Sequence, residues 1–155
     1  METPIWLAEC SDRLRRAYAY WHSKCDRCHM PSRADLDPVE IPDLLPHVTL
    51  VDVVPDDRRF VYRLVGTSEV DVRGRDPTGL SVAEAYFGPT PESAVQNYVT
   101  VAETKRPVFE RTDFTSANGR FVDEEALFLP LSSDGIAVDM IFVVARVKDN
   151  FLATN

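Results

Sequence analysis

Val48-Thr49-Leu50-Val51-Asp52-Val53-Val54, then Pro55-Asp56-Asp57-Arg58, then Phe60-Val61-Tyr62-Arg63-Leu64-Val65: this stretch decides the architecture. The first run is almost continuously apolar and β-branched, and the second is a turn signature. In the third, Phe60, Tyr62 and Leu64 alternate with Val61, Arg63 and Val65, so the whole reads as a hairpin. Between Gly66 and Lys105 the period shifts to short helices, broken at Gly74, Pro77-Thr78-Gly79 and Gly88-Pro89. The best of them is Pro91–Thr104, where Val95, Tyr98, Val99 and Ala102 share a face. Three more strands are expected at Val108–Thr115, Arg120–Leu131 and Ile136–Val147, joined by Asn118-Gly119 and Ser133-Asp134-Gly135. Two strands, a helical excursion and a three-strand meander make an α+β fold: a five-stranded antiparallel sheet with helices on one face. The space between the two layers is a natural place for a small ligand.

Upstream, Thr3-Pro4 offers a hydroxyl cap with proline at the first helical position. Leu7, Cys10, Leu14, Ala17, Tyr18 and Trp21 then recur at helical spacing to about Lys24, with Asp12, Arg13, Arg15 and Arg16 on the other side. This amphipathic helix is followed by a proline-punctuated strap containing a short helical piece around Val39–Leu45. The expected division is a helix over 1–30, a strap over 31–46, a core over 47–148 and a tail over 149–155. The helix stripe has two readings: it packs on the chain's own sheet, or it pairs with a second copy.

The 155 residues are 45% hydrophobic and 27% charged, which suits one domain with one real core. A formal net charge of −8 disfavours nucleic acid and anionic membrane surfaces, both of which reward clustered Lys and Arg. No stretch approaches the roughly 20 apolar residues of a membrane span, and no signal peptide is visible. Cys10, Cys25 and Cys28 form an odd, clustered set, which fits reduced thiols and a cytoplasmic protein.

Cys25-Asp26-Arg27-Cys28-His29 spells the c-type haem attachment motif. Attachment needs an oxidising compartment and dedicated machinery, and the two thiols also simply continue the helix stripe. A second reading takes His22, Cys25, Cys28 and His29 as four N/S ligands of a metal site on one helix face. Asp123-Glu124-Glu125 suggests paired carboxylates, but strand alternation turns Glu124 away from its neighbours, and guarding a sheet edge is the simpler use. No Ser, Cys or His with an evident base partner falls in the core, and there is no glycine-rich phosphate loop.

Several stretches resemble the bacterial single-domain PAS family. They are Tyr20-Trp21, Met30-Pro31-Ser32-Arg33-Ala34-Asp35, Asp37-Pro38 through Leu44-Leu45-Pro46-His47, Phe60 to Thr67, Gly74 to Gly79, and Leu129-Pro130-Leu131-Ser132 before Asp134-Gly135. The resemblance, from about Leu14 to Val147, implies a PAS-like sensor: a non-catalytic signalling module, often a homodimer, that binds a small molecule or a partner protein. It implies that Leu7, Leu14, Tyr18 and Trp21 lie at or near a dimer seam. In the cavity of such a fold, Tyr98, Phe109, Phe128 and Met140 are candidate lining residues, though plain core packing explains each as well. Arg63 either offers its guanidinium to an anionic ligand there or points to solvent and pairs with a carboxylate. The flavin-binding members need a Cys beside the cavity, and the haem-b-binding members a His from the helical segment. Here every Cys lies outside the core and no His lies between 48 and 155, so both cofactors are unexpected and the ligand is unknown. The rival readings are a small α+β-cone enzyme of the dehydratase or isomerase type, a haem or metal redox protein built on Cys25, Cys28 and His29, and a purely structural adaptor whose core is full.

Overall fold

The computed structural model describes residues 3–27 and 30–149. Five strands form a single sheet: β1 (Val48–Val53), β2 (Phe60–Val65), β3 (Val108–Thr115), β4 (Phe121–Leu131) and β5 (Met140–Asp149). Their spatial order is β2-β1-β5-β4-β3, and every neighbouring pair is antiparallel. The expected five-stranded antiparallel α+β fold is present. The last strand starts four residues later than its apolar run suggests. The Asp134 carboxylate accepts the Ile136 and Ala137 N–H groups at 2.8 and 2.9 Å, and this Asx-type turn keeps the segment out of the ladder.

Three helices flank the sheet: α1 (Asp12–Lys24), α2 (Thr67–Arg73) and α3 (Pro91–Thr104). α3 has Pro91 in its first turn and Thr90 as its cap, with the Thr90 hydroxyl accepting from Ser93 N–H at 3.0 Å. The start expected at Thr3-Pro4 yields only a 3₁₀ turn, Ile5–Ala8, and the α-helix begins at Asp12. The cause is Arg15, whose guanidinium takes the Leu7 and Ala8 carbonyls at 2.9 and 3.1 Å, oxygens that a continuous helix would have used itself. The helical piece expected at Val39–Leu45 is likewise two 3₁₀ turns, Pro38–Glu40 and Leu45–His47.

Both faces of the sheet are covered, which is why β4 reads as an almost unbroken buried run. On one face, Leu14, Ala17, Tyr18 and Trp21 of α1 pack with Leu127, Leu129, Leu131, Phe142 and Val144. Leu36, Ile41 and Leu44 of the strap join the same cluster. Trp21 donates its Nε1–H to the Pro130 carbonyl at 2.9 Å, fastening α1 to the sheet. The stripe expected at a dimer seam is thus used inside the chain: Leu14, Tyr18 and Trp21 are buried and Leu7 is half-buried against them. The sheet offers that stripe more apolar surface than a second narrow helix would. On the opposite face, α3 places Ala94, Tyr98 and Val101 against Phe60, Tyr62, Phe128, Ile141 and Val143.

Candidate functional site

The space between α2, α3 and the sheet is a hollow of about 30 Å³ with an unusual lining. β4 alternates, so Glu124, Ala126 and Phe128 face the hollow while Glu125, Leu127 and Leu129 face α1. By the same alternation Tyr62 enters from β2, Thr49 from β1, and Val143 and Ala145 from β5. One turn of helix separates Glu69 from Arg73 on α2, and both reach the hollow. Tyr98 comes from α3 and Glu110 from the outer strand β3.

Glu69 and Glu124 are buried, at 3% and 8% exposure, with no hydrogen bond or ion pair among the described residues. A charge without a partner is costly in such surroundings, and the cost appears as proton affinity. Burial pushes the Glu124 carboxyl up to about 8, the charge of Glu69 pushes the same way, and Arg73 opposes. Burial raises Glu69 to about 7 against the opposing charges of Arg73 and Arg13. The Tyr98 phenol is held well above its ordinary range by burial. Both carboxyls therefore exchange protons near neutral pH, where an exposed glutamate is fully ionised.

Among the described residues, Arg73 is the one cation in the lining. Its guanidinium carbon stands 4.9 Å from the Tyr62 ring centre and 4.7 Å from that of Phe87, and Nη1 donates to the Tyr62 hydroxyl at 3.1 Å. Its Nε is buried and has no acceptor. Phe87 is in turn braced edge-on by Phe114, with ring centres 4.9 Å apart.

The structure sorts the residues expected at the site. Tyr98 and Phe128 line the hollow and meet edge-on with ring centres 5.2 Å apart. Phe109 and Met140 sit on the other sheet face, where Phe109 stacks on Trp6 at 5.6 Å. Arg63 lies on the face away from Tyr62, with its side chain 67% exposed and 3.4 Å from the Asp52 carboxylate. Of its two readings, the solvent-facing pair is the one found. Glu124, expected to guard an edge, is on an interior strand and buried. Glu69 and Arg73 were not anticipated; their i, i+4 spacing in Thr67–Arg73 was the available signal.

Of the four residues in the metal reading, Cys28 and His29 lie outside the described residues, and His22 stacks on Tyr18 with ring centres 5.7 Å apart. Among the described residues, no group of three or more His, Cys, Asp or Glu could hold a metal ion. A flavin does not fit the hollow: about 30 Å³ admits one or two waters, whereas ligand pockets run to about 300–1,000 Å³. Among the described residues, no cysteine lines it either.

A family model described as "PAS domain" matches residues 10–144. No curated protein matches the chain. Among solved structures, the LOV domain of a blue-light activated histidine kinase from Erythrobacter litoralis is similar, at 15% identity and TM-score 0.52, over 66% of this chain and 94% of that one. The PAS domain of BvgS from Bordetella pertussis is similar at 19% identity and TM-score 0.50, over 71% and 85%. A Rhodobacter sphaeroides LOV protein is similar at 15% identity and TM-score 0.53, covering 70% of this chain, which spans only 66% of that protein.

Proposed function

We propose, since this chain belongs to the PAS domain family, matched over residues 10–144, that it is a non-catalytic sensory module whose input is read in the hollow between α2, α3 and the sheet. The observation that carries this reading is the pair of buried, unpaired carboxyls, Glu69 and Glu124, facing the half-satisfied guanidinium of Arg73. A purely structural core would fill those positions with apolar side chains, because buried polar groups without partners cost stability. Kept here, they give the hollow two states that differ in charge. Arg73 and Glu69 both belong to α2, a helix of seven residues between Gly66 and Gly74, so a change of charge in the hollow biases the position of α2. The output is then the altered surface that α2 presents to a partner protein.

A homodimer in the cytoplasm completes the reading. The buried Cys10 thiol is compatible with a reducing compartment. The dimer surface lies outside the α1 stripe, which the sheet already covers.

The test is amide hydrogen exchange of α2, corrected for intrinsic pH dependence, at pH 6 and pH 8.5. Protection of residues 67–73 is expected to fall at the higher pH in the wild type and to change little in Glu124→Gln. Equal protection at both pH values in the wild type would mean that the hollow is only packing.

A further inference from the structure

Outside the hollow, the end of α2, the segment 85–87 and the β3–β4 turn enclose an open groove of about 420 Å³. That is the size of a small-molecule pocket, about 300–1,000 Å³. Its lining includes Arg73, Arg75, Tyr86, Phe87, Ser116 and Asn118 and, among the described residues, no carboxylate. In a chain of formal net charge −8, a concave surface with two arginines and no acid is a local reversal of sign.

The donors there are unspent. Arg75 is exposed, and no hydrogen bond or ion pair holds it among the described residues. Arg73, whose Nη1 is held by the Tyr62 hydroxyl, adds its charge to the same wall. Gly74, at φ 81°, brings the backbone so near the Asn118 side chain that a Cβ would stand 2.8 Å from its Nδ2. The Ser116 hydroxyl engages the Asn118 Oδ1, which fixes the amide and leaves its NH₂ to donate. Beside these donors stand two flat rings: Tyr86 is 42% exposed, and Phe87 is shared with the hollow.

We propose that this groove binds a small organic carboxylate with a flat apolar body. The carboxylate takes the guanidinium of Arg75 in the planar geometry that arginine and carboxylate share, with the Asn118 amide as a further donor and the charge of Arg73 behind it. The apolar body lies against Tyr86 and Phe87. A bare phosphate would use the arginines and leave the rings idle. Arg73 lines both spaces, so an anion drawing on its charge leaves Glu69 and Glu124 with less opposition to protonation. Binding at the groove is thereby linked to proton uptake in the hollow. The binding itself goes beyond the sensory reading and is tested without it.

The experiment is a titration of the ¹⁵N-labelled full chain with sodium benzoate, followed by two-dimensional NMR, with inorganic phosphate and benzyl alcohol as comparison probes. Benzoate is expected to shift the amides of Gly74, Arg75, Ser116 and Asn118 saturably. Arg75→Ala is expected to weaken the affinity about tenfold, the loss of one charge-assisted contact. Arg111→Ala, on the other sheet face beside Glu125, is expected to leave it unchanged. Three results overturn the proposal: no saturable benzoate shift at these amides; phosphate or benzyl alcohol shifting them as strongly; or Arg75→Ala binding benzoate as tightly as the wild type.

Discussion

Arg73 donates through Nη1 to the hydroxyl of Tyr62 at 3.1 Å while its guanidinium carbon stands 4.9 Å from the centre of the same ring. One side chain thus supplies both an acceptor and a π-face to a cation whose Nε has no acceptor. The pairing fixes the end of α2 to the edge strand β2, and with it the wall between the hollow and the outer groove.

Tyr62→Phe keeps the ring and removes only the acceptor. A second Arg73 donor is then left without a partner in a buried place, at a cost of about 1–3 kcal/mol. Urea denaturation is the measurement, and a loss below about 0.5 kcal/mol would mean that water replaces the hydroxyl without penalty.

The pH dependence of stability follows from the two raised carboxyls. Their folded-state values, about 8 for Glu124 and about 7 for Glu69, lie above the ordinary glutamate value of 4.5. The folded state therefore holds more protons than the unfolded state between those limits. The stabilisation is complete below pH 4.5 and is lost as pH rises through about 7 to 8. Asp56 and Asp134, held down at about 2 by hydrogen bonds from Arg58 and from backbone N–H groups, work in the opposite direction in acid. Stability is expected to peak near pH 5 and decline toward pH 8.5, with Glu124→Gln removing much of the decline. Thermal melts across that range check it, and a flat wild-type profile from pH 5 to 8.5 would contradict it.

Trp21 is 2% exposed and carries the one side-chain hydrogen bond to Pro130 O among the described residues. Trp21→Ala leaves a large void under α1 and an unpaired carbonyl, and is expected to cost about 3–5 kcal/mol. Chemical denaturation measures this. A loss near 1 kcal/mol would show that α1 is only loosely held.

Gly66→Ala is expected to be severe for a different reason. A Cβ at this position would press into the backbone oxygens of Leu45 and Pro46, which cannot swing aside as a side chain could. Overpacking of this kind costs about 1–3 kcal/mol and displaces α2, which starts at the next residue. The amide spectrum of residues 67–73 reports it, and an unchanged spectrum would refute the close approach.

The five strands and α3 were legible because each depends on local pattern: β-branched runs, the Asn118-Gly119 turn, and Thr90-Pro91 before an apolar face. Where α1 starts was not, because Arg15 reaches back to the Leu7 and Ala8 carbonyls and no periodicity records such a reach. The two arginines show the limit most clearly. Arg63 and Arg73 both lie among apolar neighbours, and both strand faces of Phe60–Val65 look fit for burial.

The sequence by itself determined the order of elements, the antiparallel sheet and the family, since periodicity and turn chemistry act over a few residues. Only the tertiary structure decided which sheet face α1 covers, and so which face is left for a hollow. That choice turns on apolar area gathered from segments more than a hundred residues apart, such as Trp21 and Pro130. From it follow the burial of Glu69 and Glu124, the displacement of Phe109 and Met140 to the α1 side, and the place of Arg73 between two spaces.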